Sequence, residues 1–104
     1  MKRFETLSRE ELINIVDNKT YTNIVIDNYG TYRNIKLDIY KDGEVRISFE
    51  YFVPEKMCGD IKCKAHWGDN FIVYKPNTTK AECIRLGSIY EMNVCPIEEF
   101  YEHF

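Results

Sequence analysis

The run Tyr32–Val53, YRNIKLDIYKDGEVRISFEYFV, constrains the fold more than any other stretch of the chain. It holds two alternating segments joined at Asp42-Gly43. Ile35, Leu37 and Ile39 share one face with Val45, Ile47, Phe49 and Tyr51. Lys36, Asp38, Arg46, Ser48 and Glu50 share the other. A side-chain period of two is the signature of a half-buried antiparallel hairpin. A two-residue loop would set Ile39 beside Arg46 and mix core with solvent residues, which a sheet with one buried face does not tolerate. A three-residue loop, Lys41-Asp42-Gly43, instead sets Ile39 against Val45, Leu37 against Ile47, Ile35 against Phe49 and Asp38 against Arg46. Gly43 then closes a type I turn plus bulge in the left-handed conformation. This register pairs Tyr32 with Phe52 and leaves both on the polar face with Tyr40, which stands near the hairpin tip beside Glu44.

The flanking segments add cover. Ser8 and Glu11 form a capping box, Leu7 staples onto Leu12, and a short helix is expected to end near Asn18. Thr20–Asn28 reads as a strand. An even-length link to the hairpin places Ile24 beside Ile35, which completes a three-strand meander. Phe71–Tyr74 reads as a fourth strand stopped by Pro76. Thr79–Glu82 offers a second capping box, with Gly87 placed to end a short helix. Pro96 opens a last helix whose Ile97, Phe100, Tyr101 and Phe104 form one apolar stripe, with glutamates in its first turn. The expected fold is α+β: one domain over residues 1–104, with an antiparallel sheet of about four strands, an N-terminal helix and one or two short C-terminal helices.

Residues 54–70, PEKMCGDIKCKAHWGDN, have no sustained period and read as a long loop, of a length that is more often functional than idle. Cys58 and Cys63, with His66 three residues on, could give zinc three ligands, and Cys83, Cys95 or His103 a fourth. The spacing has four residues between the cysteines rather than two, and there is no second knuckle. Two partly buried free thiols are the plainer reading. Cys95 at a helix start could have a lowered thiol pKa and act as a nucleophile with His66 or His103 as base, but no third group accompanies either histidine. The sequence has no Gly-rich phosphate loop, nucleophile elbow or metalloprotease motif.

Composition narrows the function classes. An apolar fraction of 44% with 14% aromatics argues against disorder. No run approaches the ~18 apolar residues of a membrane span, and the first residues lack the apolar stretch of a signal peptide, so a cytoplasmic location is expected. Net charge is −3, and Glu91–Phe104 carries four glutamates without Lys or Arg. That disfavours nonspecific nucleic-acid binding. A base-stacking sheet built on Tyr32, Arg33, Lys36 and Arg46 would share its face with Asp38, Glu44 and Glu50. Eight tyrosines and one tryptophan favour an interface instead.

The expected function is therefore a small acidic, non-enzymatic domain that binds another protein, one with a basic surface. Tyr32, Tyr40, Glu44, Phe52, Trp67, Glu98, Glu99 and Glu102 are the expected contacts. By analogy of size and charge alone, inhibitors and immunity proteins are built this way, phage-encoded inhibitors of bacterial defence nucleases among them. A zinc-stabilised nucleic-acid-associated domain is the alternative, and a cysteine-dependent enzyme the third reading.

Overall fold

A computed structural model describes all of residues 1–104. In chain order the elements are β1 (Lys2–Phe4), α1 (Arg9–Asn18), β2 (Asn23–Tyr29), β3 (Tyr32–Ile39), β4 (Val45–Val53), β5 (Lys56–Cys58), β6 (Ile61–Cys63), β7 (His66–Lys75), α2 (Lys80–Tyr90), β8 (Asn93–Pro96) and α3 (Ile97–His103). The fold is α+β, but the sheet is neither four-stranded nor purely antiparallel. Six strands lie in the order β1-β2-β3-β4-β7-β8. β2, β3 and β4 are the expected three-strand meander, β7 joins it as a fourth antiparallel strand that begins at His66 rather than Phe71, and each edge carries a short strand parallel to its neighbour. Neither edge strand has an alternating pattern to reveal it. β1 is three residues long, and β8 ends in Pro96.

Each parallel pair encloses a helix, β1-α1-β2 and β7-α2-β8. The two pairs run in opposite directions across the same sheet, so right-handed crossovers put their helices on opposite faces. On the core face, Leu12, Ile15 and Val16 of α1 and Ile97 and Phe100 of α3, with Phe104 just beyond it, cover Ile24, Ile26, Ile35, Leu37, Val45 and Ile47. On the other face, Leu86 and Tyr90 of α2 stand over Val73 and Val94. The rest of that outer face is open.

The β3–β4 turn is the three-residue loop: Gly43 N–H donates to the Tyr40 carbonyl (3.0 Å), Tyr40 N–H to that of Glu44 (2.9 Å), and Gly43 has φ +96°. Ile39–Val45, Leu37–Ile47 and Asp38–Arg46 pair as expected. The register then slips. Asn34 and Ile35 together stand opposite Phe49, Asn34 takes a left-handed φ of 51°, and Tyr32 pairs with Tyr51 rather than Phe52. This bulge turns Tyr32 inward, against Phe49 and Phe104, and sets Arg33 on the outer face. Asn tolerates the left-handed region, so the bulge is encoded, but only by one residue. The β2–β3 link is even in length, a two-residue Gly30-Thr31 turn. It places Ile24 against Leu37 and Ile26 against Ile35, two residues from the expected pairing.

The capping box at Ser8 and Glu11 is present. Thr79 caps α2 by accepting from Glu82 N–H (3.2 Å), without the reciprocal bond. Gly87 does not end that helix, which runs on to Tyr90. It admits the Met92 carbonyl, which would lie 2.8 Å from a Cβ at this position. Gly87→Ala should therefore lower the melting temperature, although helix propensity alone favours alanine by about 1 kcal/mol. A rise in melting temperature would show that the backbone there yields.

Burial raises the Tyr74 phenol well above its ordinary pKa, and burial with a bond to Asp17 pushes Tyr101 up to about 12. A raised folded-state value gives stability that is whole below the unfolded value of roughly 10 and lost as pH climbs past it. Base titration should unfold the protein above about pH 10, and Tyr74→Phe should move that midpoint upward.

Candidate functional site

The β4–β7 hairpin is the longest feature of the fold, and β5–β6 is its continuation. In both pairs the partners' numbers sum to 119, from Val45–Tyr74 out to Cys58–Ile61. Pro54, which has no N–H to donate, falls where the ladder is interrupted between them. His66, Trp67, Gly68, Asp69 and Asn70 therefore belong to a strand, and the expected 54–70 loop is a two-stranded arm ending in a Gly59-Asp60 turn. At ~3.3 Å per residue it projects roughly 20 Å past the sheet. It was unreadable as strand because alternation records a buried face, and almost every arm residue is exposed.

Where the arm leaves the sheet, Phe52 and Trp67 pair across the strands on the outer face, with ring centroids 5.5 Å apart. They are 51% and 40% exposed. The Arg33 guanidinium lies 3.6 Å from the Trp67 ring centroid and bonds Glu50 (3.1 Å). Asn34 donates to the other Glu50 oxygen (2.6 Å), and that bond, followed by Arg33, holds the Glu50 carboxyl below the usual carboxylate range. The bulge that displaced Tyr32 thus builds an Arg–Trp–Phe cluster. Farther out, Met57 and Ile61 are 63% and 70% exposed.

The same face runs roughly 26 Å from Phe52 to Glu44, eight residues of strand at ~3.3 Å each. Tyr40 stands at the far end, its ring 4.8 Å from the Arg46 guanidinium. Glu44 beside it is buried and bonded to Arg46 (3.1 Å) and Lys75 (3.0 Å), so it organises that end from below the surface. Between the ends lie two open troughs, about 660 and 450 Å³, that share Ser48 and Asp69. Exposed Phe71 and Met92 border the larger one. The ion pairs Arg3–Asp27, Arg33–Glu50 and Arg46–Glu44 leave the face mixed in sign.

The sequence-derived contact residues therefore do not form one surface. Tyr40, Phe52 and Trp67 share the outer face. Tyr32 is on the core face, its hydroxyl 3.4 Å from His103. Glu98, Glu99 and Glu102 lie on α3, which covers that core face. Arg33 and Phe71 were not among the expected contacts. Trp67 lies in the stretch without a period, so its neighbours are out of reach of sequence reasoning.

The cysteine readings separate as well. Cys63 Sγ donates to Cys58 Sγ across 3.1 Å, while His66 turns its Nδ1 to the Lys64 carbonyl (2.9 Å). The structure brings Cys58 and Cys63 together without His66, and no three His, Cys, Asp or Glu side chains gather as metal ligands would. Cys95 belongs to β8 rather than the start of α3, where Pro96 occupies the cap. Burial and a bond to Glu99 push its thiol up to about 11, which leaves almost no thiolate at neutral pH. No helix is long and apolar enough to cross a membrane. Comparison with protein-family models, curated proteins and solved structures gave no match.

Proposed function

We propose that this chain is a non-enzymatic protein-binding domain that occludes part of a partner protein with its outer sheet face and the adjoining arm, in the manner of a small inhibitor or immunity protein. The observation that carries this reading is the exposed Phe52–Trp67 pair capped by Arg33. Trp and Arg are over-represented among the few residues that dominate binding energy, and they act from well-packed clusters ringed by weaker contacts. Phe71 and Met92, farther along the same face, and Ile61 on the arm add further exposed apolar groups. Large apolar side chains gathered on one exposed face of a small domain commonly mark an interaction site. Tyr40, stacked on Arg46, would anchor the other end.

The acidic stretch of α3 stands apart from this face and would meet a basic region only of a partner that wraps the domain. The partner-facing chemistry is therefore aromatic and mixed in charge at its centre, with acidity peripheral. Such an arrangement favours specificity over electrostatic capture.

Immobilised protein should retain a partner from lysate of its native host. The double variant Phe52→Ala/Trp67→Ala should lose that partner while it keeps its melting temperature. Equal retention by both forms would place the binding surface elsewhere.

A further inference from the structure

The tip of the arm carries a second chemistry, independent of whether the arm touches a partner. Cys58 is opposite Ile61 and Cys63 opposite Lys56, so the two thiols are diagonal neighbours across the β5–β6 ribbon. Their sulfurs meet at 3.1 Å on one face of it, while Glu55 and Lys62 form an ion pair (3.1 Å), again diagonal, farther along the same ribbon. Cys58 is exposed and Cys63 partly so, whereas Cys83 is buried and Cys95 partly covered.

We infer that Cys58 and Cys63 are a reversible oxidation site, a dithiol that closes into an intramolecular disulfide through exchange with a low-molecular-weight disulfide. Thiol–disulfide exchange needs an accessible attacking sulfur and a second thiol in reach of the mixed disulfide it forms. The arm supplies both. Exchange begins at Cys58, the more exposed of the two sulfurs, while Cys63 donates its hydrogen bond to it, which raises the Cys63 thiol above its ordinary pKa.

In the first step Cys58 thiolate attacks one sulfur of the small disulfide, forms a mixed disulfide and expels one small thiolate. Cys63 then gives its proton to that thiolate and attacks the Cys58 sulfur, and the second small thiolate leaves and takes a proton from solvent. Two protein thiols are oxidised by two electrons in all, and one small disulfide is reduced to two thiols. The product ties the two arm strands together next to the Gly59-Asp60 turn. An isolated hairpin of three-residue strands is marginal in water, so this link changes how ordered the tip is.

The test uses the full chain, fully reduced, equilibrated at neutral pH in glutathione buffers of rising disulfide content, then acid-quenched, alkylated and analysed by mass spectrometry. The expected product has lost two thiols and about 2 Da, is linked between Cys58 and Cys63, and forms without a lasting glutathione adduct. Cys83 and Cys95 should alkylate only after unfolding. Cys63→Ser should stop at the adduct on Cys58. The inference is overturned if the wild-type chain keeps four thiols in the most oxidising buffer. Stable adducts on Cys58 or Cys63, or disulfides between chains, would overturn it equally.

Discussion

Trp67→Ala should weaken binding of the captured partner by about thirtyfold or more, a loss of at least ~2 kcal/mol, which is the scale at which a central interface aromatic acts. Its folding stability should change by less than ~1 kcal/mol. The ring is 40% exposed, and an exposed cation–π contact is worth only about 0.5–1 kcal/mol. Arg33 retains Glu50 as a partner in the variant, so no charge is stranded. Titration calorimetry and thermal melts on the same samples separate the two effects. A variant that binds normally would remove Trp67 from the interface. A variant that melts far lower would show the ring to be structural, and Arg33→Ala would then have to be read in its place.

Phe104→Ala should have the largest effect on stability, a loss of about 3–5 kcal/mol, the usual range for a buried phenylalanine. The ring is 1% exposed and is held by other aromatics: Phe100 stacked at 5.4 Å between centroids, Phe49 at 5.7 Å, Tyr32 at 5.8 Å and Tyr29 at 6.2 Å. The Tyr29 hydroxyl also donates to the Phe104 carbonyl. α3 has seven residues, too few to be helical unsupported, so the substitution should free it as well. Domains of this size have a total stability of about 5–15 kcal/mol, so the denaturation midpoint should fall steeply. A shift worth less than ~1 kcal/mol would mean that α3 is not docked on the sheet as described.

What could be read from the sequence follows from where its residues are buried. The hairpin loop, the core pairings near it, the α1 capping box and the apolar stripe of α3 were legible because each leaves a local periodic trace. The slip at Asn34 left only one polar residue, and it carried Tyr32 to the other face. The parallel edge strands are too short to show a period, and each is specified by a crossover rather than by its own composition. The arm has no buried face, hence no alternation, although its pairing simply extends that of β4 and β7. Trp67 and Phe52 could be named from residue type, but their meeting, and the guanidinium over them, depend on the bulge and on the true start of β7. The thiol contact was legible only as a spacing, and the spacing suggested three ligands where the fold brings two sulfurs together.

Hydroxyl-radical footprinting of the partner complex tests the central claim most directly, because Trp, Phe and Met side chains report their own solvent exposure. Strong protection is expected of Trp67, Phe52 and Met92, with unchanged labelling of Tyr101 and His103 around α3. Unchanged labelling at Trp67 and Phe52 with protection at α3 would contradict it, and would move the binding surface to the acidic helix on the opposite side of the sheet.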